Sequence, residues 1–198
     1  MPADRRDLRK RLFAIASEQG GYFSAAQAKE VGYSYQAQSH HVQAGNWYRV
    51  DRALFRLAEW VPEVHDELAR WTLWSKDRAV VSHETALSVH SVGDFESGRV
   101  HLTVPPGFTM SDPAVVLHEA DLDDLDIVEH TGYRVTSVAR SLIDVAATSP
   151  DEELLAAAVD DARRAGLVVL RPLVERAEAI DPTAALYLER AIRQLEAG

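Results

Sequence analysis

The sequence predicts an α+β protein in two parts: a winged helix-turn-helix domain over residues 1–60, and a mixed α/β domain over 61–198 that ends in helices. Three observations predict it. The stretch GYFSAAQAKEVGYSYQAQSHHVQAGNWYRVDRALFRL, Gly21–Leu57, reads as a short helix, a glycine turn, a second helix ending at glycine, and two strands bearing arginines. Charge is unevenly divided. Residues 1–60 hold 9 Lys and Arg against 6 Asp and Glu, whereas 61–198 hold 12 against 25, within a net charge of −10. Beyond residue 61, short strand-like segments mix with helical ones before a run of helices, which is the α+β pattern.

The elements follow in order. Asp4–Gln19 places Leu8, Leu12 and Ile15 at helical spacing, with Gly20-Gly21 as a stop. Ser24 with Gln27 three residues on is a capping-box signature for a helix over Ala25–Val31, closed by Gly32. Ser34 caps a third helix, Tyr35–Ala44, with Gly45 at C′. Trp47–Val50 and Leu54–Leu57 alternate about Asp51-Arg52-Ala53 as a hairpin. Pro62 falls in the first turn of a helix to about Ser75, with Val64, Leu68 and Trp71 on one face. Ser82 caps His83–Ser91. Strands are expected at Arg99–Val104, Ala114–His118 and Ile127–Glu129. Helices are expected from Thr136 or Ser137 through Ala147, from Pro150-Asp151 to about Ala165, at Pro172–Ile180 and at Thr183–Ala197.

Composition excludes several classes. No apolar run reaches the ~20 residues of a membrane span. The N-terminal MPADRRDLRKRLF is charged and has no apolar signal core, so a cytoplasmic protein is expected. The chain has no cysteine, hence no disulfide, thiolate ligand or thiol nucleophile. Overall acidity argues against a protein that coats nucleic acid, but not against one with a small DNA-reading head.

A recognition helix buries one face and offers the other to the major groove. Winding Tyr35–Ala44 at ~100° per residue puts Tyr35, Gln38 and Val42 on the inner side with His41 at its edge. Gln36, His40 and Gln43 share the outer side with Ala37 and Ala44. Gln pairs with adenine in bidentate fashion and His donates to guanine, while Ser34 and Ser39 suit phosphate. Arg49, Arg52 and Arg56 on the wing, with Lys29 on the preceding helix, are the candidate phosphate contacts. Gln38 and His41 are expected to be partly buried and hydrogen-bonded, and Trp47 and Phe55 to belong to the core.

The second part offers no recognised catalytic motif, so no enzymatic activity, cofactor or metal is predicted. His83-Glu84-Thr85-Ala86-Leu87 begins like HExxH, but position 87 is leucine, and His90 is seven residues away rather than four. Glu119–Asp126 lacks the central glycine of a calcium loop and reads as a solvated turn or an acidic docking surface. No lysine follows a carboxylate at two residues' distance, as a restriction-type nuclease needs, and no G-x-S-x-G elbow occurs.

Residues 20–57 resemble the N-terminal winged-helix domain of AbiEi-family antitoxins of bacterial toxin–antitoxin systems. The segments VVSHETALSVHSV (Val80–Val92), VHLTVPPG (Val100–Gly107) and GYRVTSVARSLIDVAA (Gly132–Ala147) resemble further blocks of that family in the same order. The resemblance covers about residues 8–147. It implies a winged helix that binds inverted repeats in its own promoter, as double-stranded DNA. It also implies a C-terminal domain that counteracts a nucleotidyltransferase-like toxin, with monomer and dimer both open. On this chain Tyr35–Ala44 becomes the recognition helix and Trp47–Leu57 the wing. Two departures stand out. Family wings carry a glycine before the second strand where this chain has Arg52-Ala53, so a tight turn with positive φ is not expected. The recognition helix also has Gln and His where Arg is common. The alternatives are a ligand-responsive regulator unrelated to a toxin, a winged helix that docks protein, and an enzyme whose α+β domain hides an active site.

Overall fold

The computed structural model describes residues 4–95, 98–148 and 150–197. Met1–Ala3, part of the N-terminal stretch read above for a leader, lie outside the described residues. The chain forms two compact units, one of Met1–Arg78 with His130–Tyr133 and one of Ala79–Glu129 with Arg134–Gly198.

The first unit has the winged-helix order. Helix α1 (Arg5–Ser17) starts at Asp4, whose carboxylate accepts from the Arg6 N–H, and buries Leu12 and Ala16. Strand β1 (Tyr22–Ser24) was not anticipated, since three residues are too few to show an alternation. Helix α2 (Ala25–Val31) has the expected capping box, Ser24 and Gln27 each satisfying the other's backbone N–H. Helix α3 (Tyr35–Gln43) follows after Gly32-Tyr33-Ser34. Strands β2 (Trp47–Asp51) and β3 (Leu54–Leu57) form the hairpin, and the sheet order is β1-β3-β2, antiparallel throughout. Phe23, Tyr33, Trp47 and Phe55 join Leu12 and Val31 in one buried cluster. Phe23 meets Trp47 edge-on at 4.8 Å, an aromatic geometry that adds ~0.5–1.5 kcal/mol beyond area burial.

Helix α4 (Asp66–Ser75) corrects three expectations. It begins four residues after Pro62 because the Asp66 carboxylate accepts from the Trp60 indole N–H (2.7 Å) and the Glu63 N–H (2.8 Å), folding the segment before it into a turn. His65, at φ 71, then precedes the helix. Leu68 and Trp71 bury as read, but Val64 is 83% exposed. The helix packs on β1 and β3, so the first unit runs to Arg78 and not to residue 60.

The second unit centres on a five-stranded mixed sheet of order β6-β5-β4-β8-β7. Strands β5 (Val100–Val104), β6 (Val115–Glu119) and β7 (Ile127–His130) match the three expected segments. The two-residue β4 (Val80–Val81) and β8 (Tyr133–Thr136) were not foreseen. Strand β4 runs antiparallel to β5 and parallel to β8, while β5 and β6 are parallel. Helices α5 (His83–Val89), α6 (Val138–Ala147), α7 (Glu152–Arg164), α8 (Leu170–Ile180) and α9 (Pro182–Ala197) supply the rest. Leu87, Leu142, Ile143, Leu155, Val159, Leu173 and Leu188 form its core. Among the described residues no helix is long and apolar enough to cross a membrane.

The acidic run is also corrected. Asp126 is 1% exposed and accepts from Arg140 Nη1 (3.0 Å) and Arg176 Nη2 (2.5 Å). It is therefore a core ion pair and not part of a solvated turn.

Candidate nucleic-acid interface

Three devices fix α3. Ser34 Oγ accepts from the Ala37 N–H at its start (3.2 Å). At its end the Gly45 N–H reaches Val42 O (3.1 Å) and the Asn46 N–H reaches His41 O (3.0 Å), a Schellman closure that needs the left-handed φ of 74 at Gly45. In the middle, the buried Gln38 amide donates to Ala25 O (3.0 Å) and Tyr33 O (3.1 Å), tying α3 to the start of α2 and to the turn. His41 stacks on Trp47 at 4.6 Å, and burial there lowers its pKa, with the nearby His40 adding to the effect. Gln38, His41, Trp47 and Phe55 thus stand as the sequence places them.

The outer face differs from the simple wheel. Gln36, Ser39, His40 and Gln43 are exposed, and so is Tyr35, at 62%. The helical wheel puts Tyr35 on the inner side. As the first helical residue its side chain leans back past the helix start, away from the core. Lys29 Nζ lies 5.3 Å from its ring. Ala37, assigned outward, instead packs against the core. The exposed surface is therefore centred on Ser39, Gln43 and Gln36. His40 lies to one side, on a groove of about 750 Å³ that Arg5, Arg9 and Asn46 also line.

The wing arginines divide. Trp47 pairs with Leu57, Tyr48 with Arg56 and Arg49 with Phe55. Opposed residues share a sheet face. Arg49 therefore lies on the face that packs against α3, its guanidinium 5.5 Å from the Phe55 ring. Arg56 lies on the other face, between Tyr22 (5.9 Å) and Tyr48 (5.8 Å), with its Nε buried and without a partner among the described residues. Arg52 is exposed at the tip. Lys29, Arg49 and Arg52 are exposed, whereas Arg56 is half-buried on the other face of the wing sheet.

The wing tip turns tightly without glycine. Ala53 adopts φ 58, the left-handed conformation that the missing glycine argued against. Its carbonyl accepts from the Ala25 N–H (2.8 Å), the first donor of α2, so the tip is fastened to the helix-turn-helix. That bond offsets the conformational cost of an L-residue there, about 1–2 kcal/mol.

One cluster in the second unit carries no signal in the sequence. One ring nitrogen each of His83, His101 and His118 lies within 4.8 Å of the others. Burial pushes His83 down to about 3 and His118 to about 4, with the neighbouring imidazoles adding to both. The expected non-metal reading of His83 rested on spacing within one helix, whereas these histidines come from three elements. His90 stands apart, its Nε2 2.8 Å from Thr136 O.

No described protein family matches the chain by sequence, and no curated protein does. Among solved structures, the crystal structure of the Rv2827c protein from Mycobacterium tuberculosis is similar, with a TM-score of 0.62 at 14% identity over 96% of this chain and 80% of that one. That likeness shows the fold.

Proposed function

We propose that the protein is a sequence-specific DNA-binding regulator of its own promoter, and the antitoxin of a nucleotidyltransferase-like toxin. The observation that carries the DNA reading is the exposed face of α3. It offers Gln36, Ser39 and Gln43 in a line, on a helix locked from beneath by Gln38 and flanked by Lys29, Arg49 and Arg52. Two amides and a hydroxyl supply donors and acceptors for base edges. The three cations supply phosphate contacts that fix register without reading sequence.

One short helix reads only a few base pairs, so two copies on a repeated site are needed for useful discrimination. The antitoxin part rests on the resemblance of Val80–Val92, Val100–Gly107 and Gly132–Ala147 to blocks of the AbiEi family.

The test is fluorescence anisotropy of the full chain on its upstream intergenic DNA and on random duplex of equal length. Tighter binding to the upstream DNA, reduced toward the random level by Gln36→Ala or Gln43→Ala, is expected. Equal affinity for both duplexes would refute sequence reading. Co-expression with the neighbouring gene product, scored for growth rescue, tests the antitoxin part separately.

A further inference from the structure

We propose that His83, His101 and His118 form a binding site for one divalent transition-metal cation of the zinc type, with Glu84 at its edge. The residues converge from three directions. His83 opens α5 directly after β4 and takes a left-handed φ of 54, which turns the helix start over the sheet. His101 lies on β5 and His118 on the parallel β6, where it pairs with Thr103, two residues on from His101 and on the same face.

The distances suit such an ion. Tetrahedral zinc with Zn–N of ~2.0–2.1 Å sets its ligand nitrogens roughly 3.3 Å apart. His118 Nε2 and His101 Nδ1 already lie 3.2 Å apart. All three ligand nitrogens lie within 4.8 Å, so closing the site requires a modest movement of His83. Its ring now stacks on His118 at 3.5 Å and must turn out of that stack to present its nitrogen. Ser82 Oγ holds His83 Nδ1 at 2.9 Å, which leaves Nε2 for the metal.

The site is also short of positive charge. His101 Nδ1 faces both His118 Nε2 at 3.2 Å and Glu84 Oε2 at 2.8 Å, and its one proton can be directed at only one of them. Glu84 Oε2 is buried, with the His101 ring as its close neighbour. A buried carboxylate that shares its one donor with a second acceptor is under-satisfied, and a bound cation offsets its charge. Three imidazoles and a carboxylate, in a chain with no cysteine, are a nitrogen–oxygen donor set, which selects zinc, nickel, cobalt or copper over magnesium or calcium.

The experiment uses the full chain freed of metal with a chelator. ZnCl₂ is titrated in by calorimetry, alongside His101→Gln, His118→Gln and the control His90→Gln. One zinc per chain is expected, with affinity weakened about 100-fold or more in the two cluster variants and unchanged in the control. Ser82→Ala should weaken it about 10–100-fold, as outer-shell partners of ligating histidines do. Cobalt loaded into the wild type gives a second readout that does not depend on the variants folding: an intense visible spectrum of tetrahedral nitrogen ligation. The absence of saturable binding at millimolar zinc, binding that survives both cluster substitutions, or an octahedral cobalt spectrum would each overturn the proposal.

Discussion

Replacing Arg140 by methionine should destabilise the second unit by about 3–5 kcal/mol, the usual loss when one partner of a buried ion pair is removed. The structure gives the reason. Arg140 is 6% exposed and serves two buried carboxylates, through Nε to Asp144 Oδ1 at 2.7 Å and through Nη1 to Asp126 Oδ2 at 3.0 Å. Asp126 keeps Arg176, but Asp144 has no other ion-pair partner among the described residues, and its Oδ2 is already buried without a hydrogen bond. Burial pushes the Asp144 carboxyl up to about 6 even with Arg140 beside it. Without Arg140 it rises further. A carboxyl whose folded pKa lies above its unfolded value destabilises the fold as pH rises through that range, so acid should relieve the variant. Between pH 7 and 5, Arg140→Met should regain about 1 kcal/mol more than the wild type does. The pair Arg140→Met with Asp144→Leu, which removes both charges, should recover most of the loss. Urea denaturation followed in two ways reads this out. All four tryptophans, at 47, 60, 71 and 74, precede Arg78, so their fluorescence follows the first unit, and far-UV circular dichroism follows the helices of both. A loss below about 1 kcal/mol, or a double variant no better than Arg140→Met, would refute the account of Arg140 as the counter-charge of a buried pair.

Further outcomes follow from the same contacts. Gln38→Ala removes two hydrogen bonds to backbone carbonyls and should cost the first unit about 2 kcal/mol by tryptophan fluorescence, whereas the exposed Gln36→Ala should stay within about 0.5. Ala53→Gly should stabilise that unit by roughly 0.5–1 kcal/mol, the relief of left-handed strain less the added chain entropy. If Lys29, Arg49 and Arg52 each neutralise a phosphate, the logarithm of the DNA-binding constant should fall with the logarithm of salt at a slope of about −2.7 per bound chain. Arg49→Ala or Arg52→Ala should lower that slope by about 0.9, and Arg56→Ala should leave it unchanged. In the presence of chelator, acid should weaken the second unit through its buried histidines. Their folded pKa values, about 3 for His83 and about 4 for His118, lie below the unfolded 6.5, so the unfolded chain takes protons first and stability falls as pH drops below 6.5. From pH 7 to 5 the loss is about 2 kcal/mol for His83 and, discounted for solvent exposure, about 1 for His118; His118→Gln should flatten the profile.

Much of the first unit was legible because its signals are local. Capping boxes, Schellman glycines and a hairpin are decided within four to six residues, and Ser24, Gln27, Ser34 and Gly45 perform the expected roles. The misread positions depend on distant partners. Pro62 looks like a helix start, yet Asp66 overrides it by holding Trp60 and Glu63. Ala53 looks unsuited to a left-handed turn, yet Ala25, twenty-eight residues earlier, holds its carbonyl. A wheel treats every turn of a helix alike, so it could not show that Tyr35, with no preceding turn to lean on, falls outside the core.

The histidine cluster shows the same limit in the second unit. Within one helix, a metal pair must recur at i and i+4, and His83 with His90 fails that rule. On a sheet, no rule of spacing applies, because the register between strands decides which residues meet. His101 and His118 are seventeen residues apart and become neighbours only because β5 and β6 run parallel with Thr103 opposite His118. A slip of one residue in that pairing would turn His118 to the opposite face and dissolve the site. Any ligand-binding role for the cluster is therefore written in the β5–β6 register together with His83, and not in a spacing within the HETAL helix. A substitution that shifts this register, while leaving all three histidines in place, should abolish zinc binding as completely as removing one of them.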